Sequence, residues 1–261
     1  MQIGKTMTTT PLLEAREVVK HFGAVEALRG ASFEIHAGEV VALMGDNGAG
    51  KSTLIKTICG VNTPDSGEVL FEGRPIGGWH PKEVQALGIE TVYQDLALAP
   101  DLDTPSNLFL GRERVRSGLL GAMGVLAKRS MRDEASQVLT DLRVKIKDVS
   151  APVSNLSGGQ QQSVAVARAV TWANKLVIMD EPTAALGVPQ TQAVLTLIDL
   201  VRQSGRSVIL ISHSLPDVIQ VADRIEVLRL GRRVAQLKTS ETNEEQIVGA
   251  MTGAWTQESA A

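Results

Sequence analysis

The stretch GDNGAGKST, residues 45–53, decides the fold of this chain. It matches the pattern G-x-x-x-x-G-K-[ST], in which a glycine-rich loop wraps phosphate groups. An apolar run at residues 40–44 predicts a buried strand before it, and residues 53–58 predict a helix that ends at Gly60. Because strand, loop and helix follow in the order that this pattern requires, the sequence predicts a nucleotide-binding α/β domain.

The loop residues predict specific contacts with a nucleotide. Glycines let successive backbone N–H groups turn inward, and the following helix adds the positive end of its dipole. The Lys51 ammonium is expected to face the outer phosphates, and the Ser52 hydroxyl is expected to bind Mg²⁺. The predicted nucleotide-contacting residues of the loop are Gly45, Asp46, Asn47, Gly48, Ala49, Gly50, Lys51, Ser52 and Thr53.

A second segment, KLVIMDEPT at residues 175–183, places two acidic residues where a predicted strand ends. Consecutive side chains on a strand point in opposite directions, so the two carboxylates have different surroundings. We assign Asp180 to Mg²⁺, with a water between them, and Glu181 to the general base that polarises the attacking water. An acidic pair after a strand is also common in ordinary turns, and the phosphate loop is what favours the catalytic interpretation.

A third segment, SNLSGGQQQSVAVARA at residues 154–169, starts a run with helical spacing. Ser157 stands before Gly158 and Gly159 at the head of that run. A serine hydroxyl and free backbone N–H groups at a helix N-terminus form an anion site. The residues alone leave open why a chain with a phosphate loop carries a second such site.

The rest of the chain alternates strands and helices around an inserted helical region. Apolar runs at residues 176–179 and 208–211 predict central strands of a parallel sheet, with an amphipathic helix between them after Pro189. Phe33 and Ile35 alternate with polar residues in an N-terminal strand region. Residues 104–146 show helical periodicity and more charge. Within them GLLGAMGVL, residues 118–126, is apolar, and either core packing or a contact surface explains it.

Composition narrows the class of protein. The 261 residues suit one domain with a smaller lobe, and 26 basic against 29 acidic residues give a net charge of -3. This balance argues against bulk attraction to nucleic acid or an anionic membrane, and Arg112, Arg114 and Arg116 form either a local patch or a solvated face. A single cysteine, Cys59, excludes an intrachain disulfide. No apolar stretch has the length of a membrane span, so we expect a soluble cytoplasmic protein that reaches a membrane through a partner.

With GDNGAGKST, LSGGQ and IMDEPT in this order, the chain resembles the nucleotide-binding subunits of ATP-binding cassette transporters across residues 12–253. The resemblance implies an α/β fold: a phosphate-loop NTPase core with a parallel central sheet, an N-terminal antiparallel β subdomain and an inserted helical subdomain. It places the core at residues 12–95 and 165–253, the helical subdomain at about 96–164, and disordered tails at residues 1–11 and 254–261.

The resemblance also gives the second glycine pair a role. In that family, LSGGQ binds the γ-phosphate of ATP held on the phosphate loop of another subunit, so that ATP joins two subunits and its hydrolysis releases them. The matching residues, here called the signature segment, are Ser157, Gly158, Gly159 and Gln160. Because the chain carries every catalytic element, a homodimer with two complete sites is expected.

Further site residues follow from the resemblance. Gln94 matches a Mg²⁺ ligand that signals to the membrane partner, His213 a switch histidine at the γ-phosphate, and Phe22 an aromatic that stacks on adenine. From the residues alone, the ordinary alternatives are a polar turn residue, a structural histidine and a core aromatic. The implied catalytic residues are Lys51, Glu181 and His213, and the implied Mg²⁺ ligands are Ser52, Gln94 and Asp180.

Three positions depart from the family pattern. Gly187 in AALG stands where the family commonly has an aspartate that lies at the subunit interface and helps couple the two sites. Without this aspartate, coupling between the two ATP sites is expected to be weak. Asp46 replaces a frequent glutamate of the loop, and Gln161 replaces a frequent basic residue after the signature segment.

Residues 92–113, VYQDLALAPDLDTPSNLFLGRE, together with AALG resemble the bacterial subfamily that drives uptake of simple sugars such as ribose, xylose or fructose. This resemblance implies as partners a second cassette, an integral membrane permease and, indirectly, a periplasmic sugar-binding protein, and no nucleic acid. It implies a cytoplasmic protein held on the inner face of the membrane by the permease. The alternatives are an export cassette and a non-transport ATPase that clamps nucleic acid. ATPases of the second kind usually carry tandem cassettes or a long coiled-coil insertion.

Overall fold

The computed structural model of the protein describes residues 10–255. The tails predicted at residues 1–11 and 254–261 therefore lie outside the described residues, except for 10–11 and 254–255. Trp255 packs against the hydrophobic core that contains residues of the central sheet, and its backbone N–H donates to the Gly249 carbonyl at 3.0 Å. The chain is thus packed against the core up to the last described residue.

Ten strands form two sheets in the described part of the chain. They are β1 (Leu13–Phe22), β2 (Val25–Ile35), β3 (Val40–Met44), β4 (Ser66–Phe71), β5 (Arg74–Pro75), β6 (Ile89–Val92), β7 (Leu176–Asp180), β8 (Ser207–Ile211), β9 (Arg224–Arg229) and β10 (Arg232–Lys238). The N-terminal sheet has the order β2-β1-β4-β5 and is antiparallel throughout. The predicted N-terminal antiparallel strands are confirmed as a sheet.

The central sheet has the strand order β10-β9-β3-β8-β7-β6. The strands from β9 to β6 are parallel to their neighbours, whereas β10 pairs with β9 in antiparallel orientation. The predicted α/β fold is confirmed, but the sheet is mixed rather than wholly parallel. The reason is the tight turn at Leu230 and Gly231, with φ of 49° and 77°, because so short a connection can join only antiparallel strands.

Nine α-helices accompany the sheets within residues 10–255. They are α1 (Lys51–Ile58), α2 (Pro81–Ala86), α3 (Thr104–Leu108), α4 (Leu119–Ala122), α5 (Lys128–Asp141), α6 (Gly158–Trp172), α7 (Val188–Gln203), α8 (Leu215–Val221) and α9 (Glu244–Thr252). The segment between β6 and β7 holds α3 to α6 and has no strand of its own. The predicted subdomain boundary at residue 164 falls inside α6, and the division into subdomains stays a prediction.

Alternate residues of the central strands enter two different hydrophobic cores. Val40, Ala42 and Met44 face the core that contains α6 and α7, whereas Val41 and Leu43 face the core shared with α1 and the N-terminal sheet. Successive side chains of a strand point to opposite faces, and here both faces are covered. This burial explains why the sequence shows continuous apolar runs instead of alternation.

The helical insertion is anchored to α6 by aromatic packing and an indole hydrogen bond, and a buried amide holds it together internally. The rings of Phe109 and Trp172 meet edge-on with centroids 5.6 Å apart, and the Trp172 indole N–H donates to the Leu108 carbonyl at 2.8 Å. The buried Asn107 side chain accepts the Ala99 N–H at 2.8 Å. The insertion is therefore fixed to the helix that begins at the signature segment.

No helix within residues 10–255 has the length and apolar character needed to cross a membrane.

Candidate nucleotide-binding site

The phosphate loop joins the end of β3 to the start of α1. At Gly45 there is no room for a side chain, because a Cβ atom would lie 2.1 Å from the Leu228 carbonyl oxygen. Gly50 precedes α1 with a φ of 104°, a left-handed conformation that favours glycine. A cleft of about 340 Å³ opens over the loop, lined by Val25, Glu26, Ala27, Asn47, Gly48, Ala49, Gly50, Lys51, Ser52 and Thr53. The structure thus gathers residues 47–53 at one cleft, and Gly45 and Asp46 are not among its lining residues.

The ammonium of Lys51, the first residue of α1, returns to the loop. Its Nζ donates to the Gly45 carbonyl at 2.6 Å and to the Asp46 carbonyl at 3.1 Å. Burial lowers the pKa of Lys51, and the charges of Glu181, Asp46 and Asp180 oppose this shift. The two acidic residues at the end of β7 therefore lie within electrostatic reach of the loop ammonium.

Asp180 is the last residue of β7. Burial, followed by the neighbouring charge of Glu181, raises its pKa, while Lys51 and Lys56 act in the opposite direction. A nearby cation favours the ionised form of a carboxyl group. The position of Asp180 therefore suits its predicted role toward Mg²⁺, in which the cation would stabilise its charge.

Glu181 is held between β8 and His213. Its φ of 50° is unusual for a residue other than glycine, and its N–H donates to the Ile211 carbonyl at 2.9 Å. Its carboxylate Oε2 lies 2.8 Å from His213 Nδ1. The Glu181 side chain is 16% exposed, whereas that of His213 is 71% exposed. The structure thus brings the predicted base into contact with the predicted switch histidine.

The predicted Mg²⁺ ligands offer three kinds of oxygen. Ser52 lies in the first turn of α1, Asp180 ends β7, and Gln94 follows β6, the parallel neighbour of β7. Mg²⁺ is usually held by one or two carboxylates together with substrate phosphates. Within the described residues no group of three His, Cys, Asp or Glu side chains could hold a metal ion. The donor set fits a cation that binds together with a nucleotide, and the three ligand roles stay predictions.

The signature segment forms the N-terminus of α6. The Ser157 Oγ accepts the Gln160 N–H at 3.4 Å, and the Gln160 Oε1 accepts the Ser157 N–H at 3.0 Å. This capping box leaves the N–H groups of Gly158 and Gly159 without intrahelical acceptors. They point outward from the positive end of a 15-residue helix. The local geometry is that of an anion site.

A groove of about 410 Å³ borders the signature segment between the helical insertion, α6 and α7. It is lined by Leu142, Arg143, Val144, Lys145, Ser157, Gly159, Gln160, Ser163, Pro189, Gln190, Ala193, Thr196, Leu197 and Leu200. This groove shares no lining residue with the cleft over the phosphate loop. The two anion sites therefore do not line a common cavity within one chain.

The structure places Phe22 at the end of β1, where it is 49% exposed and lies 5.8 Å from the Lys20 ammonium. It does not line the cleft over the loop, whereas Val25, Glu26 and Ala27 do. Sequence reasoning missed these three residues. The available signal was the glycine at position 23, a residue type that favours tight turns. In the structure its φ of 59° closes the turn between β1 and β2, which places the start of β2 beside the loop.

Sequence reasoning also missed Arg168, which lies on α6. Its guanidinium donates to the carbonyls of Leu96 at 2.8 Å and Ala97 at 2.6 Å. Both carbonyls belong to left-handed residues, with φ of 57° and 45°, just after Gln94. Arg168 therefore ties the helix of the signature segment to the loop of a predicted Mg²⁺ ligand. The sequence feature that could have indicated Arg168 is its positive charge within an otherwise apolar part of the predicted helix.

Gly187, the departure noted above, is the N-cap of α7 and has an ordinary φ of -75°. A Cβ atom there would lie 2.8 Å from the Gln190 side-chain oxygen, the end of a flexible side chain. The Gln190 side chain also packs against Gly159 of the signature segment. Gln190 thus lies between the two segments that the resemblance assigns to the subunit interface.

The fold and the site define the class of the protein as a phosphate-loop nucleotide-binding domain. A family model described as ABC transporter matches residues 28–184, more than half of the chain, and the chain belongs to the ABC transporter family. The resemblance stated from the sequence motifs is therefore confirmed.

Similar proteins cover almost the whole chain. The chain is 48% identical to the fructose import ATP-binding protein FrcA of Rhizobium meliloti, over 95% of this chain and 96% of that protein. It is 49% identical to the xylose/arabinose import ATP-binding protein XylG of Sulfolobus acidocaldarius, over 92% and 94%. Both relatives are named as sugar import ATP-binding proteins, in agreement with the resemblance to the sugar-uptake subfamily.

Solved structures of ATP-binding cassettes share the fold. The ADP conformation of the cassette MJ1267 matches with a TM-score of 0.77 and 27% identity, over 94% of this chain and 96% of that chain. A dimeric post-hydrolysis state of the cassette MJ0796, bound to ADP and Pi, matches with a TM-score of 0.73 and 26% identity, over 87% and 98%.

Proposed function

We propose that the protein is the ATP-hydrolysing subunit that powers import of a simple sugar through a separate membrane permease. The observation that carries the proposal is that Asp180 and Glu181 lie within electrostatic reach of the Lys51 ammonium at the phosphate loop, on a chain with a second anion site at α6. The names of the relatives support the sugar class, because both are sugar import ATP-binding proteins.

In the proposed reaction, the Glu181 carboxylate accepts a proton from a water molecule. The water oxygen forms a bond to the γ-phosphorus, and the bond between that phosphorus and the bridging oxygen breaks, which yields ADP and inorganic phosphate. Lys51 balances charge on the outer phosphates, and the His213 ring, 2.8 Å from the Glu181 carboxylate, orients the base and reaches the γ-phosphate. Phe22 stacks on the adenine.

Ser52, Gln94 and Asp180 would hold Mg²⁺ beside the phosphates. The cation would neutralise charge that develops on the phosphate oxygens. The oxygen-only donor set and the single carboxylate support this assignment.

The proposed assembly is a homodimer with two ATP molecules, each between the phosphate loop of one chain and the signature segment of the other. The separation of the two cavities supports this arrangement. The phosphate loop and the signature segment of one chain do not line a common cavity, so a nucleotide that contacts both must take one of them from a second chain. The dimeric cassette described above has the same fold and is consistent with it. The permease would hold the dimer on the inner face of the membrane, and a periplasmic binding protein would deliver the sugar.

Reconstitution with the candidate permease in proteoliposomes tests the function. We expect the ATPase rate to rise when a sugar and its binding protein are supplied together on the outer side, and labelled sugar to accumulate inside. Stimulation by DNA or RNA instead would support the clamp, and outward movement of solute would support an export cassette. A rate that responds to none of these additions would contradict the proposed coupling to sugar import.

A further inference from the structure

The segment at residues 114–127 forms a hairpin-like projection from the helical insertion. Val115 and Leu126 form an antiparallel bridge, and the Ala127 N–H donates to the Arg114 carbonyl at 2.7 Å. The short helix α4 lies at the end of this projection. Backbone hydrogen bonds therefore hold the two arms of the projection together at its base, and α4 lies between the arms at the opposite end.

The end of the projection, here called the apolar tip, consists of Leu119, Leu120, Met123 and Val125. Leu119 is 80% exposed and Met123 is 71% exposed, and no residue of α4 is buried. The sequence left open whether this segment packs in the core, and the structure places all four side chains outside both hydrophobic cores. Single exposed apolar residues are ordinary, but a contiguous cluster marks an interaction surface.

Basic residues flank the apolar tip on both sides along the chain: Arg116 precedes it and bonds the Val125 carbonyl through its N–H at 2.8 Å, and the first turns of α5 follow it. Residues 112–132 contain six basic residues and one acidic residue, although the net charge of the chain is -3. Arg114 pairs with Glu134 at 2.8 Å, and Arg112 pairs with Glu90 at 2.6 Å. Four exposed cations have no ion pair with any described residue, and these form the basic rim: Arg116, Lys128, Arg129 and Arg132.

We propose that the apolar tip and the basic rim dock on the anionic lipid surface of the cytoplasmic leaflet. Charge selects this occupant, because anionic headgroups attract clustered Lys and Arg within a Debye length. The cytoplasmic loops of membrane proteins carry an excess of Lys and Arg themselves and would repel the rim. The apolar tip would enter the boundary between headgroups and acyl chains. The proposal rests on the proposed membrane location, not on the chemistry of the nucleotide site.

Sedimentation of the full chain with vesicles tests the charge requirement. We expect binding to vesicles of phosphatidylcholine with phosphatidylserine, weakening with added salt, and little binding to phosphatidylcholine alone. Each rim cation is worth about fivefold in affinity, from roughly 1 kcal/mol near the surface, so Arg116→Gln with Arg129→Gln should weaken binding about 25-fold. The matched control is Lys82→Gln with Arg232→Gln, two exposed cations on α2 and β10, which should bind like the parent.

A tip variant tests the apolar requirement. Leu119→Ser with Met123→Ser should also lose vesicle binding, while ATP turnover and the thermal unfolding midpoint stay parental, because these side chains touch neither core. Failure of the import function would appear in transport assays and leave vesicle binding intact, so the two proposals fail separately. Equal binding to neutral and anionic vesicles would overturn the proposal, as would equal loss in the rim and control variants. Binding that needs the permease and ignores lipid charge would assign the surface to the permease instead.

Discussion

Replacing Glu181 with glutamine should separate nucleotide binding from hydrolysis. Glutamine keeps the size of the side chain and can still hydrogen-bond His213, whose Nδ1 lies 2.8 Å from the Glu181 Oε2, so the site keeps its shape. The amide cannot take a proton from water. Loss of a general base costs about 10²- to 10⁴-fold in rate, or about 3 to 5 kcal/mol of barrier. We expect turnover to fall by this factor while ATP stays bound.

The trapped nucleotide should then hold two chains together. Size-exclusion chromatography with light scattering should show the Glu181→Gln variant moving from monomer to dimer when ATP is added. The control is Glu245→Gln, which removes the same charge from an exposed position in the first turn of α9. It should keep parental turnover and return to the parental elution volume once its ATP is consumed.

Adding Ser157→Arg to the Glu181→Gln chain should block the dimer. The arginine side chain would fill the anion site at the N-terminus of α6, which lies outside the cleft over the phosphate loop, so the monomer should still bind nucleotide. A nucleotide-binding assay run beside the light scattering reports both quantities. A double variant that still dimerises with ATP, or that loses nucleotide binding, would refute the across-interface role of the signature segment.

Three further predictions follow from single contacts. Lys51→Ala should abolish ATP binding or hydrolysis without a change in unfolding midpoint, because within residues 10–255 the hydrogen bonds of its ammonium go to loop carbonyls, and unchanged ATPase activity would contradict the assignment. Gly187→Asp should raise the Hill coefficient of ATP hydrolysis from a low parental value, because it restores the aspartate that the resemblance links to coupling between the two sites. The fold should tolerate the change, since the nearest atom to the added Cβ belongs to the flexible Gln190 side chain, and a steep parental curve would contradict the prediction. Hydrogen bonds from Lys20 and His21 lower the pKa of Asp65 from 3.8 to about 2, so its stabilising effect is present above pH 3.8 and is lost as pH falls toward 2. Urea unfolding of Asp65→Asn should show lower stability than the parent at pH 7 and a flatter acid dependence, and identical pH profiles would exclude this role.

Much of the molecule was predictable because it depends on residues that lie close together in the chain. The phosphate loop needs left-handed glycines such as Gly50 beside a strand and a helix, and all three appear within residues 40–58. The start of α6 depends on the exchange between Ser157 and Gln160, three residues apart. The apolar runs of β3, β7 and β8 follow from burial on both faces of a sheet. The family and its α/β fold could therefore be stated from the motifs alone.

The roles of the site residues remain predictions, but the structure shows which of them meet. Glu181 and His213 lie on different strand ends of the sheet, and no local pattern reports the 2.8 Å between their side chains. The contact exists because β7 and β8 are parallel neighbours, so their carboxyl ends reach the same edge of the sheet. Adjacent placement of strands is a property of the whole sheet and not of either segment.

Only the tertiary structure decided three further features. The antiparallel edge strand β10 depends on the turn at Leu230, and the link from Arg168 to the carbonyls after Gln94 joins residues about 70 positions apart in sequence. The exposure of Leu119 and its neighbours depends on where the insertion leaves the core, because an apolar sequence is equally compatible with a buried segment. Sequence determines which residues favour burial, and the packing of distant elements determines which of them reach it.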